Sequence, residues 1–186
     1  MTLGLGDLAF VGSLAPPLVW NAGADLAASL AAGATNPNGR WSYGMKDANA
    51  VFSLITNLNA SGWFGNQSFN TPFFNAATGG INSHVPIGMS GASTIRWTAP
   101  SAMTISVDLR VVKTSTGGNG IIHRVALGGT AINTSSVIQG PTGAHEYLNT
   151  SLAVTSGQHL DFDGDRNADD GFDSFRYDRI IITQVG

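Results

Sequence analysis

Cysteine is absent from the 186 residues, which excludes disulfides, thiolate metal ligands and a cysteine nucleophile. Charge is scarce as well: Asp, Glu, Lys and Arg make up 11% of the chain, against about a quarter in an ordinary soluble protein. Glutamate occurs once, at Glu146, so no pair of glutamates stands ready for retaining or inverting sugar hydrolysis. Nine lysines and arginines, scattered under a net charge of −3, exclude a protein that grips nucleic acid through its phosphates. No apolar run approaches the roughly 20 residues of a membrane span. Residues 1–20 contain no Lys or Arg and include Asp7, a pattern that does not read as a secretion signal. A Gly-x-Ser-x-Gly nucleophile motif is also missing.

What remains is a neutral chain, rich in Gly, Ser, Thr and Asn, of a length that suits one domain. Residues 103–111 alternate apolar and polar over nine positions, the pattern of a strand with one buried face. Residues 41–44, 51–58, 84–88, 93–98, 121–127, 131–138, 144–152, 159–162 and 178–185 read as further strands. Their spacing of about ten residues, with turn residues between, predicts an all-β sandwich. Residues 22–34 are Ala-rich, bracketed by Gly23 and Gly33, and read as irregular or weakly helical.

Four phrases stand in order: Asn36-Pro37-Asn38-Gly39-Arg40-Trp41-Ser42-Tyr43-Gly44, Gly62-Trp63-Phe64-Gly65-Asn66, Arg96-Trp97-Thr98-Ala99-Pro100, and Leu160-Asp161-Phe162 leading into Phe172-Asp173-Ser174. Together they resemble a jelly-roll domain family of bacterial surface and secreted proteins, often found in proteins with PEP-CTERM-type sorting signals and similar to carbohydrate-binding modules. The resemblance covers about residues 20–185. It implies a jelly-roll β-sandwich over 20–186, an extracellular or cell-surface setting, and a non-catalytic role with carbohydrate as partner. Residues 1–19 fall outside it and form an N-terminal extension, long enough to add a strand to a neighbour's open edge. The alternative reading is therefore a homo-oligomer, a structural subunit of a filament, sheath or virus-like shell built by that strand addition.

Seven of the twelve acidic residues fall between Asp161 and Asp178. Oxygen ligands recur at every second position, Asp163, Asp165, Asn167 and Asp169, flanked by Asp161 and Asp173. A curled loop turns such a series onto one hard cation, and Ca²⁺ is the expected occupant. Ala168 and Ser174 replace the Gly and Glu of an EF-hand loop, so a helix-loop-helix is not expected. The alternative is a solvated acidic turn paired with Arg166, Arg176 and Arg179. The same resemblance places Asp178 where related modules often hold calcium, and it too is able to pair with an arginine. For a sugar, Trp63 between two glycines is the expected aromatic platform, with Tyr43 and Asn66 beside it; Trp41 and Trp97 read as core. The histidines, His84, His123, His145 and His159, are too widely separated to suggest a common site.

Overall fold

The structure, a computed structural model, describes residues 16–33, 35–56, 74–77, 80–86, 91–141, 143–168, 171 and 173–185. Its strands are β1 (Val19–Asn21), β2 (Trp41–Asp47), β3 (Phe52–Leu54), β4 (Phe74–Ala77), β5 (Gly80–His84), β6 (Gly91–Thr98), β7 (Met103–Lys113), β8 (Ile121–Leu127), β9 (Thr130–Thr134), β10 (Ala144–Val154), β11 (His159–Arg166) and β12 (Ser174–Gln184). The helix α1 (Ala22–Ala31) joins β1 to β2. Every pairing is antiparallel. One sheet runs β10-β7-β12-β5-β4, with β1 also on β12; the other runs β3-β2-β6-β11-β8-β9. The two sheets pack face to face as a jelly-roll β-sandwich.

Side-chain alternation dictates which face each strand buries. On β7, Ile105, Val107, Leu109 and Val111 point inward and are fully buried, while Thr104, Ser106, Asp108 and Arg110 point out. On β11, Leu160 and Phe162 enter the same core. Gly164 follows them inward because Phe175 of the opposite sheet lies there: a Cβ at 164 would stand 2.2 Å from the Phe175 ring. Tyr177 crosses the gap and donates its hydroxyl to the Phe162 carbonyl at 3.0 Å. Trp41 and Trp97 are cross-strand partners, both buried, as expected of them.

The Ala-rich stretch is a regular helix. Asn21 caps it by accepting from the Ala24 amide at 3.1 Å, and Leu26 anchors it in the core. The Asn-Pro-Asn-Gly phrase then works as a clasp. The buried Asn36 amide donates to the carbonyls of Tyr43 and Ile55 and accepts from the Tyr43 amide, tying β2 to the end of β3. Asn38 and Trp41 exchange two backbone hydrogen bonds across Gly39-Arg40. Gly39 has φ 57°, the left-handed value that a tight hairpin turn requires at its first central position.

Most strand boundaries depart from the sequence reading by a few residues, and two of them bear on the core and the acidic series. The strand expected at 84–88 lies earlier, at Gly80–His84, and the one expected to end at Phe162 runs on to Arg166. The proposed extension falls mostly on residues 1–15, outside the described residues.

Candidate functional site

The acidic series is the first surprise. Asp161, Asp163 and Asp165 are not on a loop; they project from β11, on the face turned away from the other sheet. Pleating sends alternate residues to one side, so a ligand spacing of two is also the signature of one strand face. Each carboxylate meets a cation from another strand of the same sheet. Arg96 donates through Nε and Nη2 to both oxygens of Asp161, at 2.7 and 3.0 Å. Lys46 Nζ lies 2.9 Å from Asp161 and 2.7 Å from Asp163. Thr94 donates to Asp163 at 2.8 Å, and Arg124 to Asp165 at 2.8 Å.

Burial by itself would raise the Asp161 carboxyl, but the Arg96 and Lys46 hydrogen bonds win and hold it below the usual range. Burial pushes Asp163 up against the pull of Lys46 and Thr94. The expectation of a curled loop is thereby corrected for these three residues: they are charge-compensated within the sheet and do not fit a calcium ion as a set. Their side-chain cation partners are Lys46, Arg96 and Arg124, while the sequence-local Arg166 donates to Asp165 through its backbone amide at 2.8 Å. Asn167 donates from Nδ2 to the Asn119 carbonyl; Asp173 is buried, 3.7 Å from Lys113 Nζ. Asp169 lies outside the described residues. Among the described residues, no group of three or more His, Cys, Asp or Glu could hold a metal. Asp178 accepts from Arg110 and Arg176 on the opposite outer face.

Of the aromatics expected to meet a sugar, Tyr43 is corrected. It is fully buried, its ring 5.6 Å from that of Phe74, and burial followed by the Asp25 charge raises its hydroxyl pKa. No ligand reaches a side chain in that position. Trp63 and Asn66 lie outside the described residues. Two of the scattered histidines meet: His123 and His145 lie between the sheets with ring centroids 5.4 Å apart. Neither ring nitrogen of the fully buried His123 has a hydrogen-bond partner among the described residues.

Two clefts remain as candidate binding surfaces. One, of about 340 Å³, lies at the end of β2, β6 and β11 and is lined by Asp47, Asp165 and Arg166 among others. Ala50 (φ 60°) and Ala168 (φ 70°), the two non-glycine residues in the left-handed region among those described, both border it. The other, of about 480 Å³, opens between α1 and the Asn38–Trp41 turn. Trp20, Asp25, Ser29, Asn38 and Arg40 line it.

The second cleft is built from short-range structure. Asp25, in the first turn of α1, accepts from the Trp41 indole at 2.7 Å, and Asn38 donates to the Asp25 backbone carbonyl at 3.0 Å. These two bonds lock the helix to the turn. Trp20 leaves β1 with its ring edge-on to Trp97 at 5.2 Å and is half-buried. The Arg40 carbonyl accepts from the Thr98 amide at 2.9 Å, fixing the backbone from which its exposed side chain extends. The cleft thus combines an indole, a carboxylate, a hydroxyl, an amide and a guanidinium. Trp20 and Arg40 were missed because each sits beside a stronger signal, the helix and the turn; only the folded chain brings them together.

By sequence, no protein family and no curated protein matches the chain. By structure it is similar to carbohydrate-binding modules. A CBM51 from Clostridium perfringens GH95 in complex with methyl-galactose is 11% identical, covering 91% of this chain and 90% of that one at a TM-score of 0.41. The chain spans only 29% of a Clostridium perfringens ZmpB structure comprising CBM51-2 in complex with GlcNAc and INT domains, which covers 92% of it at 11% identity and a TM-score of 0.41. A CBM6 module of the Cellvibrio mixtus lichenase 5A, in complex with cellotriose, is 15% identical, covering 66% of this chain and 92% of that one at 0.36. The two-sheet architecture itself rests on the strand pairing described above.

Proposed function

We propose that this chain is a non-catalytic carbohydrate-binding β-sandwich module, acting outside the cell or at its surface, with the cleft between α1 and the Asn38–Trp41 turn as its sugar site. The observation that carries the proposal is the half-buried indole of Trp20 in a concavity that also holds Asp25, Ser29, Asn38 and Arg40. A pyranose has one face of C–H bonds, which pack on an aromatic ring, and a rim of hydroxyls, which donate to a carboxylate and accept from an amide. A concave wall of one aromatic with a few convergent polar groups suits such a molecule. The indole is braced by Trp97 and the turn by its own hydrogen bonds, so little ordering is required on binding.

Affinity electrophoresis through gels containing neutral or acidic soluble polysaccharides tests the site. Retardation by at least one polysaccharide is expected, and Ala28→Trp, which fills the cleft from the exposed face of α1, abolishes it at an unchanged melting temperature. Retention of binding by Ala28→Trp refutes the assignment of the cleft; no retardation in any gel refutes the function.

Calcium is carried forward as a proposal for residues 167–173 alone, where Asn167 and Asp173 flank Asp169. A rise in melting temperature on adding Ca²⁺, reversed by chelator, is the expected result. An unchanged temperature removes a stabilising ion from the proposal.

A further inference from the structure

We infer that the sugar taken by the cleft carries a carboxylate, as a hexuronate or other acidic sugar residue does, and that Arg40 reads it; the inference rests on the sugar-binding reading above. It starts from the partners of the cations. The chain has nine lysines and arginines, and all nine lie among the described residues. Eight of them have a hydrogen bond, ion pair or other electrostatic interaction within the chain. Arg40 is the ninth, and its guanidinium has neither a hydrogen bond nor an ion pair among the described residues. Every other cation in this charge-poor chain is engaged within it; this one is exposed at the mouth of a cleft.

Its placement is specific. Arg40 occupies the second central position of the tight turn closed by Asn38 and Trp41, and its own carbonyl is held by Thr98. The guanidinium therefore extends from a fixed backbone. The acid lining the same cleft, Asp25, already has one carboxylate oxygen engaged by the Trp41 indole at 2.7 Å, and it forms no ion pair with Arg40 among the described residues. Positive and negative groups thus line one cleft unpaired with each other, with Trp20 on the concave surface they share. A carboxylate on the sugar ring matches the planar fork of an arginine in two parallel hydrogen bonds. The hydroxyls of the same ring face Asp25 and Asn38, and its C–H face lies on Trp20. A neutral sugar satisfies the second and third of these contacts but leaves the guanidinium to water. An inorganic anion satisfies only the first.

Calorimetric titration of the whole chain with methyl galacturonoside and methyl galactoside, at low and physiological salt, tests the inference. The acid is expected to bind about tenfold more tightly than the neutral sugar, the value of one charge-assisted contact, and the preference shrinks as salt rises. Arg40→Ala erases the preference, bringing the two sugars to equal affinity, while Arg40→Lys retains part of it. Inorganic sulfate at equal concentration does not displace the uronoside. Binding of the galactoside as tight as that of the uronoside overturns this inference and leaves the sugar site standing, as does a preference that survives Arg40→Ala. Displacement by sulfate as effective as by the uronoside marks a bare anion site and overturns it too. If neither sugar binds and no polysaccharide retards the protein, both readings fall together.

Discussion

Asp161 and Asp163 stand two residues apart on one strand, share Lys46, and shift in opposite directions. The difference is Arg96, whose guanidinium serves Asp161 in two hydrogen bonds and packs its other face 4.1 Å from the Phe52 ring centroid. Asp161, held below its ordinary range, contributes stability that is present above the unfolded carboxylate pKa and lost as pH falls through the folded value. Removing the guanidinium leaves a buried carboxylate with one shared partner. Arg96→Ala is expected to cost about 3 kcal/mol in urea unfolding at neutral pH, and less as the pH falls through the lowered folded-state value of Asp161 and the carboxyl takes up its proton. His123 works on a different part of the scale. Burial first, then the neighbouring His145, lowers its pKa well below 6.5. The folded state therefore binds fewer protons than the unfolded one, and the contribution is complete above pH 6.5 and declines below it. Thermal melts should lose stability between pH 6.5 and 5 by up to about 1.4 kcal/mol per pH unit for this histidine. His123→Phe should flatten that slope; an unaltered slope assigns it to other groups.

At the scale of elements, Gly164 is a position where a side chain from the opposite sheet fills the space a Cβ would take. Gly164→Ala forces a methyl into the Phe175 ring and should destabilise the fold by about 1–3 kcal/mol through overpacking, measurable as a lower urea midpoint at unchanged m-value. The strands show which elements local pattern reveals. β8 is read from the sequence with the ends it has in the structure, and β7 differs by two residues, because alternation between a buried and an outer face is a local property. β11 was cut short at Phe162 because its continuation, Asp163-Gly164-Asp165, has the composition of a loop. Its carboxylates are tolerated in a strand only because Lys46, Arg96 and Arg124 face them from other strands. Those partners lie 41 to 117 residues away, beyond anything a window on the sequence sees. The same holds for His123 and His145, which meet only once the two sheets stack.

For the whole molecule, the sandwich was legible from strand number and spacing, while the candidate site was not. Its indole comes from the first strand, its carboxylate from the helix and its guanidinium from a turn, and their meeting depends on how β1 docks against β12. That docking is also the most consequential fact about the order of the chain. β12 is the last strand in sequence, yet it lies inside its sheet, with β7 along one side and β5 and β1 along the other. A chain ending at Asp173 would lack the strand that joins β7 to β5 and β1. It should be digested by dilute protease under conditions where the complete chain persists, and a resistant fragment of that length would contradict the topology. The sandwich therefore closes only after β12 has left the ribosome, because β5 and β1 reach β7 through that strand.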